Sequence, residues 1–452
     1  MDSFPQASQS VIRDMRAQMD SNHLQNIYGP AFPLDYHFAR FARVTEHLKR
    51  SHSVTGPMHL FSSPGRTELG GNHTDHNHGK VLCAAVHLDT LAAVTPIDDG
   101  KIILDSEGFD TEFQVEIEEL TPKAKDEGSI TALIRGVADG LQARGHHLGG
   151  FRAVVVSDVP VGSGLSSSAS FEVLIGGILN ELYNNGRIDP ITLAQVGQYA
   201  ENTHFGKPCG LMDQTACAVG GIMVIDLADP VKPQVRRIDL ISGTGDYQLV
   251  VVATGDSHAD LGDDYASIPH NMKQVARYLG GTVLRELDED TLRSRLADVR
   301  YTFGDKTVQR ALHFFAENRR VERMADALDA GNMDDFLSLV KESGLSSLGT
   351  LQNVIPPSGD GMHQSAALAL SISNEFLESH GRGAARIHGG GFAGTIQAYI
   401  HQQDLEYFKA TVEAVFGADS VLPLSIRTEG VCQVGIVPST SGIPPRFEAA
   451  RS

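Results

Sequence analysis

Apolar positions run unbroken in one set of segments and recur three and four apart in another, so strands and helices alternate along the whole chain. Apolar runs near 81–95, 102–106, 112–117 and 151–157 predict four strands. Between them, 129–144 has helical spacing and stops at Gly145, which predicts a helix. Further on, Phe171, Leu174, Ile175, Ile178, Leu179 and Leu182 line one face of a second helix, and 191–204 reads as a third. A new series opens with the strand-like Gly221-Ile-Met-Val-Ile-Asp226 and Gln248-Leu-Val-Val-Val-Ala253. Helices at 262–279, 305–330 and 361–380 and strands near 395–400 and 432–437 complete it. This order predicts an α+β protein. At 452 residues the chain exceeds what one core normally serves, so two lobes are expected. The polar, proline-bearing stretch Asp226-Leu-Ala-Asp-Pro-Val-Lys-Pro233 places the boundary near it: an N-terminal extension over 1–50, a first lobe over 51–228 and a second over 229–452.

Composition narrows the partners. A hydrophobic share of 41% is enough for ordinary cores, while 37 basic against 56 acidic side chains leave a net charge of −19. That balance argues against nucleic acid or an anionic membrane as the main partner, so any phosphate site must rely on local geometry. Cys83, Cys209, Cys217 and Cys432 lack paired metal-type spacing, and the start Met-Asp-Ser-Phe-Pro-Gln lacks a basic stretch followed by an apolar run. With no run of 18 apolar residues either, a cytoplasmic protein is expected.

Three blocks carry candidate chemistry. Pro160-Val-Gly-Ser-Gly-Leu-Ser-Ser-Ser-Ala-Ser170 precedes the apolar face of a helix. Unpaired N–H groups and the dipole at a helix start favour an anion, and glycines let the backbone approach phosphate oxygens. Gly162, Ser163, Gly164, Leu165, Ser166, Ser167 and Ser168 are therefore candidates for phosphate binding; taken alone, the same segment also fits a serine-capped core helix after a glycine turn. The second block is Pro64-Gly-Arg-Thr-Glu-Leu-Gly-Gly-Asn-His-Thr-Asp-His-Asn-His-Gly79, and the third is His388-Gly-Gly-Gly-Phe-Ala-Gly394. The third satisfies Gly-x-Gly-x-x-Gly, but Thr395-Ile-Gln-Ala-Tyr-Ile400 behind it reads as a strand, not the helix a dinucleotide site requires. Gly-x-x-x-x-Gly-Lys-[Ser/Thr] does not occur. His73, His76 and His78 lie close together, yet without His-Glu-x-x-His or a further fixed ligand they make a poor metal set.

Together these blocks resemble the GHMP kinases, and within them the galactokinase family, whose first signature reads roughly Gly-Arg-x-Asn-Leu-Ile-Gly-Glu-His-Thr-Asp-Tyr-Asn. A fourth block, Pro208-Cys-Gly-Leu-Met-Asp-Gln214, is similar to the family segment that carries the catalytic aspartate. The resemblance runs from about residue 58 to 440. It implies a two-lobed fold with the active site between the lobes, and ATP-dependent phosphorylation of a sugar at its anomeric hydroxyl. On this resemblance Asp213 matches the base that accepts the sugar proton, and Arg66 the cation that keeps it ionised and stabilises transferred charge. Ser168 and Glu201, the latter twelve residues before Asp213, match the Mg2+ ligands. Asn72, His73, Asp75, Gly210 and Tyr265 match sugar contacts, Tyr265 following His258 at the expected interval. The turn at 388–394, with Ala393 in place of a family glycine, is implied to support the site.

The sugar side departs from the family. Asn72 stands for a glutamate, His76 for a tyrosine, and Glu68 and Gly70 for Asn and Ile. By resemblance the glutamate meets the sugar near C6. An amide there could accept from a 6-hydroxyl or donate to a carboxylate, so galactose is expected and galacturonate or another galacto-configured sugar stays open. A non-catalytic sugar sensor is a further alternative; such proteins are marked by a shortened serine loop, whereas Ser166 to Ser170 is complete.

Overall fold

A computed structural model describes residues 7–29, 33–52, 54, 56–238, 245–255, 261–359, 361–392 and 394–438; His258 and Ala393 lie outside them. Eight strands form the large sheet: β1 (Met58–Gly70), β2 (Lys80–Ile97), β3 (Lys101–Ser106), β4 (Phe113–Glu116), β5 (Gly150–Ser157), β6 (Ile222–Asp226), β7 (Gln234–Ile238) and, from the far end of the chain, Cys432–Val437. A smaller sheet holds β8 (Tyr247–Ala253), β9 (Ala384–Ile387), β10 (Thr395–His401) and β11 (Val421–Leu424) in the order β11-β8-β10-β9. With Cys432–Val437 as β12, the large sheet runs β12-β1-β2-β5-β3-β4, and β6 and β7 branch from β2. The 18-residue β2 makes the branch possible, pairing β6 over Lys80–Ala84 and β5 over Thr90–Ile97. β7 and β12 lie beyond residue 228, so this sheet draws on both sides of that position.

Alternation along the central strands buries both faces of the large sheet. Phe61, Ala92, Val94 and Val155 point to one side, where they pack with Val173, Leu174, Ile178, Val196 and Met212 from the helices Ser167–Asn184, Pro190–Tyr199 and Met212–Val219. Leu60, Leu91, Ala93, Val154 and Val156 point to the other, against Leu24, Ile27, Phe38, Phe41 and Leu48. Those last residues belong to the helices Ser21–Tyr28 and Leu34–His52. Over its described residues the N-terminal extension is thus a helical layer that completes the core. It is riveted by Asp89 of β2, fully buried, which accepts from Tyr28 Oη at 2.8 Å and Arg40 Nη1 at 2.7 Å.

The helices expected at 262–279, 305–330 and 361–380 appear as Gly262–Tyr278, Asp305–Asp329 and Ser365–His380. Among the described residues no helix is long and apolar enough to cross a membrane. The segment after the glycine-rich turn is a strand, β10, which removes the structural context of a dinucleotide site.

Candidate active site

Arg66 lies on β1, a strand whose register slips between Pro64 and Arg66 and again between Glu68 and Gly70. Such bulges re-aim side chains, and here Arg66 reaches Asp213 near the start of the helix Met212–Val219. The contact is bidentate: Nε to Oδ1 at 2.8 Å and Nη2 to Oδ2 at 2.6 Å. Arg66 also donates to the Gly164 carbonyl, and its own N–H to the Leu165 carbonyl at 3.0 Å, which ties β1 to the serine loop. Gly65 permits this approach, because a Cβ there would sit 2.8 Å from the Leu165 oxygen. Burial opposes the charge on Asp213, but Arg66 outweighs it and holds the carboxyl below its ordinary value. The Asp213 side chain keeps 32% of its surface exposed, so a substrate hydroxyl can reach it.

The serine loop turns through Gly162 and Gly164, both at positive φ (78° and 71°), and Gly164 passes against His388 and Thr395 of the glycine turn and β10. The helix begins at Ser167, preceded by Ser166 in a left-handed conformation at φ 63°. Ser166 Oγ does not cap the helix; it donates to Asp213 Oδ2. Ser163 turns inward to the Pro160 carbonyl at 2.7 Å, and the Leu165 side chain is buried. Those two side chains thus shape the loop, and what they can offer a phosphate is their backbone. Ser167 and Ser168 remain half-buried at the helix start.

Ser168 Oγ lies 3.2 Å from Glu201 Oε1, where the helix Pro190–Tyr199 loosens into a π turn over Ala200–Phe205. Lys207 Nζ pairs with the same oxygen at 3.3 Å while 65% exposed, a cation that the sequence motifs did not single out. Behind them Gln214 Nε2 bridges Glu201 Oε2 (3.0 Å) and Glu172 Oε2 (3.1 Å). Burial and the nearby Glu201 charge push the Glu172 carboxyl well up, and its Oε1 has no hydrogen-bond partner among the described residues. Hydroxyl and carboxylate oxygens of this kind fit a hard divalent cation.

The segment 71–79 supplies the remaining candidates. Asp75 Oδ2 sits so close to Gly210 that a Cβ there would lie 2.1 Å away, so any larger residue would have to push the carboxylate aside. His73 Nε2 is 2.8 Å from the Gly390 carbonyl, which fixes that nitrogen as the donor; burial holds the imidazole at about 4, hence neutral. Tyr265 Oη donates to the Gly391 carbonyl at 2.5 Å. Asn72 is a correction. It is completely buried, with its N–H groups on Glu68 (3.1 Å) and the Gly389 carbonyl, and its oxygen accepting from Asn353 at 2.7 Å. A side chain so occupied joins segments together and has nothing left for a sugar C6 group. Asn353, outside every motif, therefore shares the support of this loop.

The sequence matches two families: the GHMP kinases N terminal domain over residues 132–221 and the galactokinase galactose-binding signature over 46–96. It is 30% identical over 364 residues to a galactokinase of Clostridium tetani, covering 79% of this chain and 88% of that protein. A galactokinase of Limosilactobacillus reuteri is likewise 30% identical, over 371 residues, covering 79% and 89%. The crystal structure of Lactococcus lactis galactokinase complexed with galactose superposes with a TM-score of 0.73 at 26% identity, covering 86% of this chain and 98% of that one. The mevalonate kinase of Methanococcus jannaschii shares the fold, with a TM-score of 0.57 at 16% identity over 81% and 98%.

Proposed function

The chain belongs to the galactokinase family of ATP-dependent phosphotransferases, and from that premise we propose that it transfers the γ-phosphoryl group of ATP to the anomeric hydroxyl of galactose. The bidentate Arg66–Asp213 pair, set between the serine loop and the 71–75 loop, carries this reading. The sugar hydroxyl replaces the Ser166 hydroxyl on Asp213 Oδ2. As its oxygen bonds to the γ-phosphorus and the bond to the ADP oxygen breaks, its proton passes to Asp213. Arg66 keeps that carboxylate ionised before the transfer, and Lys207 is within reach of the phosphate side. Ser168 and Glu201 would hold Mg2+, which neutralises charge on the phosphates when bound. Gly162 and Gly164 bring backbone close to the nucleotide. His73 and Asp75, with Tyr265 and the backbone at Gly210, face the sugar. The occupied amide of Asn72 removes the reason for admitting a uronic acid beside galactose. We place the enzyme in the cytoplasm, with small-molecule substrates and neither nucleic acid nor membrane as partner.

ADP release with Mg-ATP across galactose, galacturonate, N-acetylgalactosamine, glucose and arabinose tests the proposal, with the phosphate position in the product read by NMR. Turnover on galactose with phosphate on C1 is the expected result. Sugar binding without turnover on any of them would make the chain a sensor, and preference for galacturonate would move the C6 contact elsewhere.

A further inference from the structure

The loop that follows β1 is held from behind by one helix. Gly71 turns at φ 93°, and His73 takes φ 59°, a conformation that a residue with a side chain retains only when its surroundings impose it. Three side chains of Asp305–Asp329 grip the loop's backbone. His313 Nε2 lies 2.9 Å from the Asn72 carbonyl, Glu317 Oε1 accepts from the Gly71 N–H at 3.2 Å, and Asn318 Oδ1 accepts from the Lys80 N–H at 2.7 Å. His313 and Glu317 are four residues apart and so share a helix face.

The chemistry of the grip is specific. A carbonyl can only accept, so His313 carries its proton on Nε2; Nδ1 then accepts from Ser346 Oγ at 2.8 Å. Burial keeps this imidazole below its ordinary value and neutral. Glu317 also accepts from Ser343 Oγ at 2.6 Å and pairs with Arg320. Burial opposes its charge, yet the Arg320 and Arg386 guanidiniums and the Ser343 hydroxyl hold the carboxyl below its ordinary value. Both side chains are at most 1% exposed. A buried carboxylate and imidazole are costly where apolar side chains would fill the same space, unless their hydrogen bonds serve a purpose.

We propose that His313 and Glu317 are positioning residues for the acceptor sugar: by fixing the Gly71 amide and the Asn72 carbonyl they aim His73 and Asp75 and leave the nucleotide side untouched. This rests on the reading of 71–75 as the sugar loop. The test is steady-state kinetics and sugar binding for full-length His313→Leu, His313→Gln and Ser346→Ala. Gln retains a donor at the Nε2 position, Leu removes it, and Ser346→Ala removes only the hydroxyl that orients the ring. His313→Leu should raise the galactose KM about tenfold, against the hundredfold that roughly 1 Å of misplacement can cost. The ATP KM should change less than about twofold, and His313→Gln should recover most of the loss. If His313→Leu fails to fold, a selective rise in galactose KM in Ser346→Ala supports the same conclusion. Parallel rises in both KM values, or no change in the galactose KM of Ser346→Ala and a soluble His313→Leu, would overturn it. Wild-type protein that binds and phosphorylates no sugar would instead remove the reading of 71–75, an outcome visible before any variant is made.

Discussion

Asp213 holds its charge because Arg66 meets it with two parallel hydrogen bonds, and a carboxylamide in its place would keep the shape while losing the proton acceptor. Asp213→Asn should therefore bind nucleotide normally and lose about 10²-fold or more in kcat, measured by ADP release; near-normal turnover would remove it from the mechanism. Gly210→Ala should raise the sugar KM while sparing the ATP KM, because the new methyl displaces Asp75 rather than anything near the serine loop. Asn72 shows where reading one position at a time stops short. Glu68 and Asn72 each stand out as departures from the family signature, but only the fold brings their side chains to 3.1 Å, with Arg386 against Glu68. A second carboxylate at 72 would face Glu68 in a dry core. Asn72→Glu should cost about 3 kcal/mol or more in stability by chemical unfolding, and Glu68→Asn combined with it should recover part of that loss.

At the scale of elements, legibility followed the simplicity of the surroundings. β2, β5 and the helix Ser167–Asn184 bury apolar faces and are plain in the pattern. β1 is not, because Ser62, Ser63, Arg66, Thr67 and Glu68 are all buried and polar, serving partners far along the chain in place of an apolar face. The N-terminal helices do carry a local period, Phe38, Phe41, Thr45 and Leu48 falling on one buried face, but the ion cluster that ties this layer to β2 leaves no such trace. Burial opposes the charge of Asp89, but Arg40 and Arg427 outweigh it and hold the carboxyl at about 2. Its contribution is complete above the unfolded value near 3.8 and is lost as pH falls through about 2, so that acid loosens this layer. Asp89→Asn should lower stability at neutral pH by roughly 3 kcal/mol and flatten the fall between pH 4 and 2, measured by denaturant titration at several pH values.

For the whole molecule, the motifs marked most of the groups that meet at the site, while the scaffold behind them came from segments without a signature. Asn353 and the helix Asp305–Asp329 act through backbone groups of the loop, and partners chosen by tertiary proximity leave no spacing rule in sequence. The net charge of −19 bears on the nucleotide alone, since galactose is neutral. Raising ionic strength from about 0.01 to 0.15 M shortens the screening length from roughly 30 to 8 Å. The ATP KM should fall over that range while the galactose KM stays constant; a rise in the ATP KM would mean that local cations dominate the field.

The turn at 388–392 offers successive main-chain oxygens to side chains from two parts of the chain: Gly389 to Asn72 and Gly390 to His73 on the loop after β1, and Gly391 to Tyr265 of the helix Gly262–Tyr278. Peptide oxygens carry no side-chain identity, so the three contacts share one fate: a displacement of the turn moves them as a set. His73 and Tyr265 are in effect two fingers of the same glove, and damage to either should cost less once the other has already been lost.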